Sequence, residues 1–154
     1  MVDREAIKCE KLWLSDRIRE CQPDVPKNVL MMVEPGNLAE IYFKLREGLE
    51  CSETGVGEDF ANGDDCKTAL DAKLYNNAAK NRYKFEFARC GHKKAGIMAL
   101  AFNRQSNTVD EYYFPKGSFK LERIYILYKR DTHEPVGKYA KYLVKKYEWI
   151  YKQK

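Results

Sequence analysis

Apolar positions along the chain follow a helical spacing at both ends and a strand-like spacing between them. Residues 3 to 21 place Ile7, Leu14, Ile18 and Cys21 near one face and turn Lys11, Arg17 and Arg19 elsewhere. That spacing predicts a helix, stopped by Pro23 and Pro26. The run Val29 to Val33 is too short for periodicity to assign. A second helix is predicted from Asn37, a suitable N-cap, to Glu47, with Gly48 closing it. Leu38, Ile41, Tyr42 and Leu45 form its apolar face, and Glu40 lies beside that face. From Arg82 to Arg89, Tyr83, Phe85 and Phe87 alternate with Lys84, Glu86 and Ala88, the mark of a half-buried strand. Residues 95 to 103 are almost continuously apolar, as in a central strand covered on both faces. Val109 to Phe114 and Phe119 to Lys129 read as further strands, the earlier three following one another as a meander. Tyr139, Leu143, Tyr147 and Ile150 then return to a helical spacing among lysines.

This order predicts an α+β fold. A mixed central sheet of four to five strands is flanked by N-terminal helices and by a basic C-terminal helix over about residues 136–152. The 154 residues fit one domain. No stretch approaches the roughly 20 apolar residues of a membrane span, and the start of the sequence lacks an apolar signal segment. A cytoplasmic protein is therefore expected. Five cysteines (Cys9, Cys21, Cys51, Cys66, Cys90) at irregular spacing, with only His92 and His133 beside them, argue for reduced thiols rather than disulfides or structural zinc.

Charge changes the picture in one place. From Gly48 to Cys66 there are six acidic residues and no basic one, in a chain whose net charge is +5. The run ends in Asp65-Cys66-Lys67. Gly55, Gly57 and Gly63 punctuate it, and Asn62-Gly63 reads as a tight turn between two arms carrying Asp59 and Asp65. On a strand from Asp64 to Leu70, Asp65 and Lys67 share a face and Cys66 points the other way. Two carboxylates and the Cys66 carbonyl oxygen are hard donors suited to Mg²⁺, with Mn²⁺ expected to substitute. Lys67 beside them suits the stabilisation of charge growing on a phosphate.

These residues resemble a known signature. Asp59 followed by Asp65-Cys66-Lys67, within Gly57-Glu58-Asp59-Phe60-Ala61-Asn62-Gly63-Asp64-Asp65-Cys66-Lys67-Thr68-Ala69, is similar to the PD-(D/E)-x-K motif of the restriction-endonuclease-like nucleases. Glu58 stands where the motif's proline is, and Asp65 where glutamate is commoner. Asp64 is a second candidate ligand, but alternation with Lys67 favours Asp65. The resemblance covers about residues 36 to 120. It implies a Mg²⁺-dependent endonuclease of restriction or homing type acting on double-stranded DNA. Its catalytic residues would be Asp59, Asp65, Lys67 and, from the upstream helix, Glu40. Cutting both strands would call for a homodimer or higher homo-oligomer.

Lys84, Arg89, His92, Lys93, Lys94 and Lys116 are the side chains nominated for phosphate contacts, with Lys120 nearby. Residues 116 to 154 hold eleven Lys or Arg against four Asp or Glu, which fits either a polyanion partner or a solvated lysine-rich face. The alternative reading is a non-catalytic DNA-binding or inhibitory protein on the same fold. A calcium-binding module is disfavoured, since the Asp59 to Asp65 spacing lacks the alternating carboxylates and closing glutamate of a calcium loop.

Overall fold

A computed structural model describes residues 4–49, 65–69, 73–74, 81–88, 90, 96–120 and 122–149. Three helices come first: α1 (Arg4–Cys21), α2 (Lys27–Leu30) and α3 (Pro35–Glu47). Eight strands follow: β1 (Asp65–Ala69), β2 (Lys73–Leu74), β3 (Arg82–Phe87), β4 (Ile97–Asn103), β5 (Thr108–Phe114), β6 (Ile124–Lys129), β7 (Pro135–Val136) and β8 (Leu143–Glu148). The fold is α+β. Its strands form two four-stranded sheets, β1-β4-β5-β8 and β2-β3-β6-β7. The first is mixed: β1 runs parallel to β4, while β4–β5 and β5–β8 are antiparallel.

The helices cover one face of the first sheet and the second sheet covers the other. β4 is buried along its whole length and shows how one strand serves both sides. Met98, Leu100 and Phe102 face the helices, against Trp13, Leu14, Ile18, Leu38 and Phe43. Ile97, Ala99 and Ala101 face the second sheet, where two alanines leave room for Tyr83, Phe85, Tyr112 and Tyr128. Burying one such ring stabilises by about 1.5–3 kcal/mol, so this aromatic layer is a major source of cohesion.

The helices match their predicted spans with small shifts. The buried residues of α1 are Ala6, Glu10, Trp13, Leu14, Ser15 and Ile18; of the predicted face, Ile7 is half-buried and Cys21 is exposed. α3 starts three residues earlier than predicted, with Pro35 in its first turn and Glu34 instead of Asn37 at the N-cap. Pro35 is tolerated there because its missing N–H would have been unpaired anyway. Gly48 ends the helix at φ 65°, a left-handed conformation that glycine adopts without a Cβ penalty.

Two expectations are overturned. The strands do not form a meander, because β3 pairs with β6 in the second sheet while β4 takes β1 and β5 as neighbours. Alternation fixes which face of a strand is buried but not its partner, and β3, β5 and β6 all present aromatic faces that fit one another.

The basic C-terminal helix is also absent. Its described residues form β7, a 3-10 turn (Ala140–Tyr142) and β8. Gly137 at φ 96° breaks the helical path. Pairing with β5 then offers Lys145 and Lys146 two carboxylates opposite, at Glu111 and Asp110. A bulge between Glu111 and Tyr112 leaves Val144 as the extra residue, 59% exposed. Leu143 consequently packs into the inter-sheet core while Tyr147 packs on the helix side.

β8 also ties the distant parts of the chain together. Trp13 Nε1 donates to the Glu148 carbonyl oxygen at 3.2 Å, and Trp149 Nε1 to that of Cys9 at 3.3 Å.

Candidate functional site

β1 carries the central part of the predicted site. Asp65 and Lys67 occupy alternate positions of this strand, opposite Ile97 and Ala99 of β4, the positions of β4 that face the second sheet. Cys66 lies between them, 8% exposed, in the helix-side core with Leu38, Ala39 and Phe43. Its thiol is thus a packing group, and only its backbone oxygen is left as a donor. Lys67 is half-buried. Among the described residues, β1 stands at the end of its sheet.

α3 packs directly on β1 from the helix side. It carries Glu40, half-buried, beside the buried pair Leu38 and Ala39. Glu40 and Lys67 therefore belong to opposite sides of the sheet. Asp59, the side chain of Asp65, and the turn at residues 62–63 lie outside the described residues. Among those described, no three His, Cys, Asp or Glu side chains gather as a metal cage.

The nominated phosphate contacts are scattered. Lys84 is on β3, on the face turned away from the first sheet, with its Nζ 4.5 Å from the centre of the Tyr125 ring. Lys116 and Lys120 are exposed in the connection from β5 to β6. Arg89, His92, Lys93 and Lys94 lie outside the described residues.

Two polar constellations escaped the sequence reading, one on each face of β5. On the helix side, Arg46 of α3 makes a two-pronged contact with Glu111, Nη1 to Oε1 at 2.5 Å and Nη2 to Oε2 at 2.8 Å. The Tyr147 hydroxyl donates to Glu111 Oε1 at 2.9 Å. Burial works against the Arg46 charge, but the bonds and charge of Glu111 outweigh it and hold the guanidinium above its ordinary range. Burial, and then the Glu111 carboxylate, push the Tyr147 hydroxyl up as well. This cluster borders a cleft of about 320 Å³ lined by Arg46, Glu47, Leu49, Met98, Glu111 and Tyr113.

Asp110, fully buried, lies on the other face. Its Oδ1 accepts from Thr108 and its Oδ2 from Tyr128, both at 2.7 Å, and Lys146 Nζ is 3.2 Å from Oδ2. Tyr128 also bonds Tyr112 at 2.7 Å. Burial pushes both phenols well above their ordinary value, and the negative charge of Asp110 adds to it. Nearby, Asn103 Nδ2 donates to the Tyr83 hydroxyl at 3.0 Å, which in turn lies 2.9 Å from His133 Nδ1. The only trace of these clusters in the sequence is the pair Asp110-Glu111 inside an aromatic strand, with Lys145-Lys146 downstream. Nothing in periodicity links the two pairs before the strands are known to be neighbours.

No family model, curated protein or solved structure matches the chain. Among the described residues, no helix is long and apolar enough to cross a membrane.

Proposed function

We propose that the protein is a Mg²⁺-dependent endonuclease that hydrolyses DNA phosphodiester bonds on a restriction-endonuclease-like core. One observation carries this reading. The Asp65-Cys66-Lys67 segment is a strand of a mixed sheet, at its end among the described residues and parallel to β4, with the glutamate-bearing helix α3 packed against it. A strand geometry sets Asp65 and Lys67 about 7 Å apart along one face, close enough to act on one phosphate group.

The donor set fits a hard cation. Asp59, Asp65 and the Cys66 carbonyl oxygen are the groups that would hold Mg²⁺, and the burial of the Cys66 thiol removes the one soft donor. When bound, the metal supplies Lewis acidity at the scissile phosphate and eases ionisation of an attacking water. Lys67 orients that water and offsets the charge that grows on the phosphate oxygens. Glu40 lies in the opposite layer from Lys67, so a catalytic role for it would require its carboxylate to extend round β1. Among the described residues, Cys9, Cys21, Cys66 and Cys90 are not joined in disulfides, which accords with a reducing cytoplasm. Double-strand cutting by one such site per chain calls for a homodimer.

Plasmid cleavage with Mg²⁺ tests the proposal, with Asp65→Ala and Lys67→Ala as comparators. Wild type should cut and both variants should fail while remaining folded. Equal behaviour of all three, whether cutting or inert, overturns it. A wild type that retards DNA in a gel without cutting supports the non-catalytic alternative.

A further inference from the structure

We propose that the outer face of the sheet β2-β3-β6-β7 is the surface on which duplex DNA docks, held through its phosphates. Alternation along β3 and β6 sends Tyr83, Phe85, Phe87, Ile124, Ile126 and Tyr128 into the core. Arg82, Lys84, Tyr125 and Lys129 are left on the outer face, with Tyr125 and Lys129 exposed to solvent.

The register carries the argument. Arg82 stands directly opposite Lys129. Like charges facing each other across a ladder destabilise it. The aromatic core beneath fixes this register, so the repulsion persists in the folded protein, and an anion lying over the face relieves it. Among the described residues, four carboxylates border the surface: Glu86, bonded to Arg123; Glu134, opposite Lys129 across the turn to β7, where their backbones are joined at 3.0 Å; and the exposed Glu122 and Asp131 in the flanking turns. Against these stand Arg82, Lys84, Arg123, Lys129 and Arg130, so the described part of the face is net cationic.

Among the described residues, Tyr125 is the one aromatic ring on the outer face of β3 and β6, with Lys84 Nζ 4.5 Å from its centre, so this face lacks the row of rings along which successive bases of a single strand stack. Phosphate contacts from cations spaced two residues apart on flat strands remain, and these read backbone rather than bases. β1 packs against the inner side of β3, so the docking face and β1 belong to adjoining layers. The inference rests on the nuclease reading only in taking the polyanion to be DNA.

The test is fluorescence anisotropy with a short labelled duplex in EDTA, across a salt series. The double variant Arg82→Ala/Lys129→Ala should weaken binding about tenfold and lower the salt slope by about two. Lys138→Ala/Lys141→Ala removes the same charge from the segment before β8 and should stay within about twofold of wild type. The first variant should melt no lower than wild type, since it removes a repulsive pair. Equal loss in both doubles overturns the proposal by reducing it to net charge. Tighter binding of a labelled single strand, abolished by Tyr125→Leu, also overturns it, as does binding to phosphatidylserine vesicles but not to the duplex. A wild type that binds but never cuts defeats the nuclease reading and leaves this surface standing. An Arg82/Lys129 variant that binds normally defeats the surface alone.

Discussion

β1 and β5 each bring an aspartate near a lysine, yet they are built for opposite ends. Asp110 on β5 sits in the middle of its sheet, sealed between two layers, with two hydroxyl donors and Lys146 arranged on its oxygens. The lysine there comes from a neighbouring strand and closes a structural network. On β1, Asp65 and Lys67 come from one strand, two residues apart, which among the described residues stands at the end of the sheet. A carboxylate whose acceptor sites are consumed by the fold is a poor metal ligand. One at a sheet margin can keep oxygens for a cation. Position in the sheet, more than residue type, separates the two.

The strongest way to break this contrast is to exchange the two lysines for alanine. Lys67→Ala should lower the cleavage rate by about 10²–10³ with little change in melting temperature. Lys146→Ala should do the reverse, keeping the rate and losing stability. If Lys146→Ala stops cleavage in a protein that stays folded, the structural network is catalytic after all and the contrast fails.

Asp110→Ala comes next in size. It removes the buried acceptor of the Tyr128 and Thr108 hydroxyls and the partner of the Lys146 ammonium, at a cost of roughly 3 kcal/mol. Chemical denaturation would show this as a shifted midpoint with an unchanged slope. Glu111→Ala should cost less, about 1–2 kcal/mol, because Arg46 is partly open to water and already contacts Glu47 at 2.9 Å.

The smallest effect is a pH dependence. Burial raises the Tyr112 and Tyr128 phenols above their ordinary value of 10 in the folded state. The stability this represents is complete below that value. It is lost as pH rises, because the unfolded phenols ionise first. Melting temperature should fall steeply above about pH 10, and Tyr128→Phe should remove about 1.4 kcal/mol per pH unit of that slope. An unchanged slope would mean the phenol titrates freely in the folded protein.

Much of the strand content was legible because alternation is a local signal. Tyr83, Phe85 and Phe87 announced β3, and the unbroken apolar run announced β4. Partners were not legible, since β3 satisfies its aromatic face equally well beside β4 or β6, and only the whole assembly decides. The C-terminal segment misled because Tyr139, Leu143 and Tyr147 fit a helical spacing as well as a bulged strand, and the bulge at Val144 hides the alternation. For the candidate site, the strand and its Asp65–Lys67 spacing were visible in advance, as was the placement of Cys66 on the opposite face. The Arg46–Glu111 pair was not, because its members lie 65 residues apart and nothing local marks either as buried.

The paired indoles under β8 have a consequence for how the protein is made. Trp13 is bonded to the backbone of a residue 135 positions later, so α1 has no finished seat until that residue has left the ribosome. At ordinary synthesis speeds the wait is roughly ten seconds, during which the apolar face of the first helix is open to chaperones. Both tryptophans of the protein sit at this one junction. Its intrinsic fluorescence is therefore a clock for the last docking event, and reports little about the aromatic layer on the far side of the sheet.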